Sequence, residues 1–198
     1  MRPYFPGIPD EKFKRGQIPM TKQEIRLMVL AKAQIGPKDI IIDIGAGTGS
    51  LSVEAALQAT GGQVFAIERE QEGIDLIAAN AVQFGVGNLS VIHGSAPAAL
   101  SGLPPVDVIL VGGSGGYLTE IIQYADPLLK TGGRMVITAV TVETLHKALT
   151  IVDSMPEYQC EASGLQVTRV RRVAAHHMFQ ALNPVYIISC SKGAQHDR

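Results

Sequence analysis

The segment with the most chemistry in its spacing is Asp43-Ile44-Gly45-Ala46-Gly47-Thr48-Gly49-Ser50. Glycine tolerates positive φ and lets a backbone come close to a ligand, so such a loop suits a small polar cofactor. The dinucleotide fingerprint is G-x-G-x-x-G, whereas here the spacing is G-x-G-x-G and Ser50 stands where the third dinucleotide glycine would be. With an acid, Asp43, two residues before the first glycine, the pattern favours S-adenosylmethionine over a nicotinamide. Glu68 follows Gly49 by nineteen residues at the end of an apolar run, where a carboxylate can accept hydrogen bonds from a ribose diol. The next apolar run ends in His93-Gly94-Ser95-Ala96-Pro97, which places Ser95 and the Ala96 backbone near an adenine edge.

Charge agrees with that ligand. A sulfonium carries a fixed positive charge, and no Lys or Arg lies between Asp43 and Glu68. Asp43 is expected to face the ligand's amino group, or else to tie down the glycine loop by accepting backbone N–H groups. The acceptor belongs to the loop Val111-Gly112-Gly113-Ser114-Gly115-Gly116. That loop has no Asn/Asp-Pro-Pro-aromatic grip for a planar amine, and no acid, base or thiol. It offers open space and free backbone N–H groups, which suit a bulky acceptor that is already electron-rich. Methyl transfer then needs in-line approach at about 3–3.5 Å.

These loops must be held by alternating strands and helices. Strands are expected at Ile40–Ile42, Val64–Glu68, Leu89–His93, Val106–Val111 and Met135–Val140. Helices are expected at Ser50–Thr60, Glu70–Phe84, Leu118–Lys130 and Val142–Met155, with Thr131-Gly132-Gly133 stopping the third of them. An earlier helix starts near Met20-Thr21, with Thr21 and Glu24 as a capping box, and ends at Gly36-Pro37. Pro3, Pro6, Pro9 and Pro19 make the first nineteen residues irregular. Short continuous apolar strands between helices mean a parallel sheet covered on both faces. Two late β-rich runs, about Tyr158–Val170 and Pro184–Ser191, have no crossover helix and must pair antiparallel. The expected fold is α/β, a doubly wound, Rossmann-like, mostly parallel seven-stranded sheet with a C-terminal antiparallel hairpin. One domain is expected over 1–198, with an N-terminal segment to 36, a cofactor core over 37–155 and the late strands over 156–198.

Composition narrows the function. The chain has 198 residues, 46% of them hydrophobic, enough for a core and too few for separate cofactor and substrate domains. Aromatics are 5% with no Trp, and net charge is −1, which argues against a nucleic-acid partner. Residues 1–26 carry six cations against three anions and residues 164–198 five against one, whereas residues 27–163 carry six against fourteen. An acidic middle between basic ends suits a neutral or cationic ligand at the centre and an anionic partner near the termini. No apolar run approaches a signal peptide or a membrane span, so a cytoplasmic protein without membrane contact is expected, and Cys160 and Cys190 are expected as reduced thiols.

Gly7-Ile8-Pro9-Asp10-Glu11-Lys12-Phe13, Pro19-Met20-Thr21-Lys22-Gln23-Glu24-Ile25-Arg26, Asp43 to Ser50 and Gly112-Gly113-Ser114-Gly115-Gly116 together resemble the decarboxylating C15-methyltransferases of corrin-ring synthesis. The resemblance spans about residues 7–155. The Asp43–Gly49 loop alone marks only the wider class I methyltransferases, whereas the N-terminal pair and the Gly-Gly-Ser-Gly-Gly loop are specific. It implies a precorrin or cobalt-precorrin substrate, methylated at C15 with loss of the carboxyl of the C12 acetate, and commonly a homotetramer. It places the methionine end of the cofactor at Thr21 and at the loop Gly45, Ala46, Gly47, Thr48 and Gly49, the ribose at Glu68 and the adenine at Ala96.

The chemistry fits such a substrate. A conjugated ring supplies a carbon nucleophile at its meso position and accepts the electron pair left by departing CO₂, so no strong protein base is required. The protein's tasks reduce to orientation, desolvation and charge matching. The carboxylate rim needs cations, drawn from Lys12, Lys14, Arg15, Lys22, Arg169, Arg171 and Arg172. Of these, Arg15, Lys22 and Arg171 join Gly112, Gly113 and Ser114 as the expected substrate contacts. Ser114 and His177 are the catalytic candidates, His177 as a proton donor to the ring. His176 and His177 are neighbours in the chain and make a poor metal pair; no protein metal site is expected, and cobalt, if present, arrives in the substrate. Asp107 and His93 read as structural. The rivals are a class I methyltransferase acting on protein isoaspartate or tRNA, and a non-catalytic module that binds tetrapyrrole or a partner.

Overall fold

The computed structural model describes residues 6–193, so Pro3 lies outside the described residues. Five parallel strands form the middle of the molecule: β1 (Ile40–Ile44), β2 (Gln63–Glu68), β3 (Leu89–His93), β4 (Val106–Val111) and β5 (Leu129–Ala139). Helices α1 (Gln23–Ala33), α2 (Ser50–Gln58), α3 (Gln71–Phe84), α4 (Leu118–Ala125) and α5 (Val142–Asp153) cover them. Two further strands, β6 (Tyr158–Leu165) and β9 (Val185–Lys192), extend the sheet, with β9 antiparallel to both β5 and β6. The order β3-β2-β1-β4-β5-β9-β6 is the expected seven-stranded, mostly parallel, doubly wound α/β sheet.

Alternation along the central strands divides the core in two. Ile42 and Ile44 pack with Ile109, Val111 and Ile137 against α4 and α5. Ile41 packs with Val108, Leu110 and Val136 against α1 and α2. Every one of these side chains is nearly or fully buried, which explains why the strands read as unbroken apolar runs. The strand order reverses at β1, which has β2 on one side and β4 on the other, and such a switch point at the carboxyl ends of parallel strands is where open α/β sheets bind ligands.

Several boundaries differ from the sequence expectation. The third core helix stops at Ala125, because Pro127 has no N–H to continue it and a short 3₁₀ turn follows. Thr131-Gly132-Gly133 lies inside β5, where pairing with β4 skips from Leu129 to Arg134. Thr21 and Glu24 form no capping box: Lys22 occupies the N-cap without a side-chain bond, and Glu24 instead accepts from Arg169 Nη2 at 2.8 Å. The run Tyr158–Val170 is broken, and β7 (Thr168–Val173) and β8 (His176–Ala181) form a separate, exposed two-stranded sheet between β6 and β9 in the chain. Cys160 and Cys190, expected as free thiols, are joined as a disulfide, since the β6–β9 register sets them directly opposite with Cα atoms 4.1 Å apart.

The N-terminal segment is strapped over α2 by one buried cation. Arg26 is fully buried on α1. Its Nε donates to Glu54 Oε1 at 2.9 Å and its Nη1 to Asp10 Oδ1 at 2.8 Å. It also donates to the carbonyls of Ile8 and Thr21, and its guanidinium sits 4.7 Å from the Phe13 ring centroid. Glu54 meanwhile accepts from the backbone N–H of Gly7 at 2.7 Å and of Ile8 at 3.1 Å. The charges are thus hydrogen-bonded from several sides, the condition under which buried ions are tolerated.

Removing one partner should leave the carboxylates buried without their counter-charge. Arg26→Met is expected to lower unfolding free energy by roughly 3–5 kcal/mol, read from urea denaturation. A loss well under 1 kcal/mol would show that the strap does not depend on this cluster.

Candidate active site

A cleft of about 530 Å³ opens at the carboxyl ends of β1, β2 and β4. Five separate stretches singled out in the sequence meet in it: Thr21-Lys22, Gly45–Gly47, Glu68, Ser95-Ala96, and Gly112–Gly115. Ile18, Pro19, Met20, Ile25 and Ile67 add apolar wall. The volume is that of a pocket for one cofactor-sized ligand.

Close backbone contact holds the loops together. Gly45 has φ +71°, and a Cβ there would fall 2.5 Å from the carbonyl oxygen of Gly113. Its N–H and that of Ala46 both donate to the Ile67 carbonyl, at 2.9 and 3.1 Å, while Gly112 N–H donates to the Ile44 carbonyl at 2.9 Å. The loops after β1, β2 and β4 are thereby interlocked. Gly47, also at positive φ, would carry a Cβ 2.9 Å from the Pro19 carbonyl, so the N-terminal strap closes down on the same loop.

Glu68 is 8% exposed and lines the cleft. Its Oε2 accepts from Gly47 N–H at 2.8 Å, and its Oε1 from the N–H groups of Arg69 and Glu70 at 2.8 and 3.0 Å. Each oxygen has two acceptor sites, so Oε2 retains capacity for a ligand hydroxyl. The residues present fit a nucleoside-bearing sulfonium: an oriented carboxylate, a glycine cradle and an apolar wall.

Asp43 departs from expectation. It does not line the cleft; it is 1% exposed and accepts from the Ser52 hydroxyl on α2. Strand alternation accounts for this, since Ile42 and Ile44 take the α4/α5 face and Asp43 must take the other. Burial pushes its carboxyl up to about 6, with the Ser52 hydrogen bond opposing and the Glu68 charge adding to the rise. Thr48 and Gly49 also lie behind the cradle, outside the cleft lining. The Thr48 carbonyl accepts from Asn80 at 2.9 Å, and its buried hydroxyl has no partner among the described residues.

The expected substrate contacts divide. Lys22, Gly112, Gly113 and Ser114 line the cleft; Arg15 and Arg171 are exposed and do not. Arg171 reaches Gln180 on the β7–β8 hairpin, and His177 stands exposed on the same hairpin opposite Arg172. Arg169 serves the strap, through Glu24 and Asp10. Sequence reasoning missed Arg69, Glu70 and Tyr117, all in the cleft wall. Arg69 pairs through Nε with Glu70 at 3.0 Å and leans toward the acceptor loop, where a Cβ on Gly115 would come 3.1 Å from its Nη1. Its place directly after the strand-end acid was the available signal. His93 and Asp107 are structural, as expected: His93 Nε2–H donates to the Arg69 carbonyl at 3.0 Å, and Asp107 accepts from Ile40 N–H and Lys130, both at 2.9 Å.

Known proteins supply an independent comparison. A family model described as a precorrin methyltransferase domain matches residues 11–192. A cobalt-precorrin-6B C(15)-methyltransferase (decarboxylating) of Salmonella typhimurium is 40% identical over 190 residues, covering 96% of this chain and 98% of the relative. A precorrin-6y C5,15-methyltransferase from Geobacter metallireducens superposes with a TM-score of 0.89 at 36% identity, covering 94% of this chain and 97% of that one. A precorrin 8W decarboxylase from Methanobacterium thermoautotrophicum does so with a TM-score of 0.87 at 33% identity, over 94% of this chain and 100% of that one.

The buried Asp43 carboxyl has a folded-state pKa above its ordinary 3.8, so it contributes most stability below that value and loses the contribution as pH rises through about 6. Asp43→Asn keeps an acceptor for Ser52 and removes the titration. The stability of wild type minus that of the variant should therefore fall between pH 3.8 and about 6, read from calorimetric melting. A difference independent of pH would contradict the assignment.

Proposed function

The chain belongs to the precorrin methyltransferase family, and from that membership we infer that it methylates C15 of a precorrin or cobalt-precorrin and removes the carboxyl of the C12 acetate, in cobalamin biosynthesis. The observation that carries the reading is the contact of Gly45 with Gly113, which sets the donor's cradle directly against a base-free acceptor loop. S-adenosylmethionine, when bound, supplies an electrophilic methyl group. Glu68 Oε2 accepts from the ribose diol, Ser95 and Ala96 border the adenine, and Gly45–Gly47 with Thr21 hold the methionine end. Asp43 supports the cradle from beneath, through α2.

A cleft of about 530 Å³ houses the donor and leaves the macrocycle across its mouth. There Lys22 and Arg69 provide the cations for rim carboxylates, and Gly112–Ser114 lets the meso carbon approach without steric hindrance. The ring activates its own nucleophilic carbon, so the absence of an acid or base from the acceptor loop matches the chemistry. Arg15 and Arg171 would act only at the substrate's periphery.

Self-association is part of the proposal. Hairpin β7–β8 exposes Val170, Val173, Met178 and Phe179, the last 83% exposed, on a two-stranded sheet too small to be stable alone. A second copy is the occupant that fits, in keeping with the homotetramer that the family resemblance implies. No helix of the described residues is long and apolar enough to cross a membrane. A cytoplasmic location is proposed with the biosynthetic role.

Mass spectrometry of the product, with methyl-labelled donor and either cobalt or metal-free substrate, tests the reading. One labelled methyl gained and one CO₂ lost are expected; label in protein or RNA, or tetrapyrrole binding without turnover, would contradict it. Glu68→Ala should weaken the donor by about 1.5–3 kcal/mol, about ten- to a hundredfold, in calorimetric titration. Unchanged affinity would remove Glu68 from the ribose site.

A further inference from the structure

A small side cavity of about 120 Å³ lies behind the acceptor loop. It shares the Gly112–Ser114 loop, Thr138 and Val140 with the main cleft, so the two spaces are neighbours across one wall. The rest of it is made by residues such as Leu118, Ile137 and Thr144. None of the residues that line it carries a charge, whereas Lys22, Glu68, Arg69 and Glu70 all line the main cleft. Its polar side chains are the hydroxyls of Ser114, Thr138 and Thr144. The Thr138 hydroxyl donates to the Val111 carbonyl at 3.3 Å, and the Thr144 hydroxyl lies 3.0 Å from that of Thr141.

The two kinds of carboxylate on the substrate make opposite demands. A carboxylate that stays is best held by a cation. A carboxylate that leaves begins as an anion and ends as neutral CO₂, its charge having passed into the ring. A cation beside it stabilises the starting state more than the transition state and slows the step. Hydroxyls and backbone N–H groups orient it without fixing the charge, and the one ionisable side chain in the first turn of α5, the exposed Glu143, is no cation and lies outside the cavity lining.

The geometry points to this uncharged side cavity as the place that receives the acetate arm whose carboxyl is lost, while the meso carbon of the same ring faces the main cleft. The inference rests on the reading given under Proposed function and adds a decarboxylation subsite to it. The step balances. Methyl transfer to the meso carbon gives the ring one positive charge. The bond between the acetate methylene and its carboxyl carbon then breaks, CO₂ leaves, and the electron pair enters the ring and cancels that charge. The methylene carbon gains one proton and the methylated meso carbon loses one, so no oxidant or reductant is needed.

The test places a cation in the cavity. Thr144→Lys does so from α5, and Val140→Lys does so from a position that is 68% exposed and therefore tolerant of substitution. Thr150→Lys, exposed on the same helix and lining neither space, is the control for added charge. Mass spectrometry reads the ratio of CO₂ lost to methyl gained in the presence of donor and tetrapyrrole. In at least one of the two cavity variants the ratio should fall about tenfold, with a methylated product that keeps its carboxyl accumulating, while Thr150→Lys keeps the wild-type ratio. Ratios within about twofold of wild type in both cavity variants, or an equal fall in Thr150→Lys, would overturn the subsite. Wild-type protein that neither transfers methyl nor releases CO₂ would overturn the underlying reading instead.

Discussion

Gly45 and Gly113 lie so close that a single methyl carbon on Gly45 would meet the opposite backbone at 2.5 Å. The rest of the site depends on that approach. It joins the loop after β1 to the loop after β4 at the point where the strand order reverses, so whatever binds one loop is presented to the other. The Ile67 carbonyl fixes the first loop and the Ile44 carbonyl the second. Hydrogen bonds from the strand ends therefore fix the two loops relative to each other before any ligand arrives, which is preorganisation in its simplest form.

The N-terminal strap completes the enclosure. Without it the glycine cradle would open directly to solvent on the side where Pro19 meets Gly47. Its course is set by Arg26, buried among Asp10, Glu54 and two backbone carbonyls. The cluster lies away from the reacting atoms, yet it anchors Thr21 at the cleft wall. Arg169 carries the same network on to the β7–β8 hairpin through Asp10 and Glu24. Basic residues at both ends of the sequence thus meet acidic partners inside the fold, and only part of the terminal positive charge remains for an anionic substrate.

Local spacing made the fold and the cradle legible. Ile41 and Ile42 of the first apolar run and Val108–Val111 of the fourth are buried from both faces and could be little else than central parallel strands. The glycine triplet and Glu68 announced themselves because their chemistry depends on short-range spacing. What remained hidden depends on distant partners. Asp43 reads as a ligand contact until alternation along β1 turns it toward Ser52. Glu24 reads as a cap until Arg169, 145 residues away, claims it. Cys160 and Cys190 become neighbours only through the ladder register, and Arg69 gained significance only when its side chain was seen leaning toward Gly115. The hairpin β7–β8 buries almost nothing within this chain, so its strands carry none of the core periodicity that identifies the others.

The most direct test of the account is a crystal structure of the complex with S-adenosylhomocysteine. The account predicts the ribose diol on Glu68 Oε2, the amino-acid end between Gly45–Gly47 and the strap, and the sulfur turned toward the Gly112–Ser114 loop. A nucleoside bound away from Glu68, or a sulfur facing the sheet rather than that loop, would contradict it.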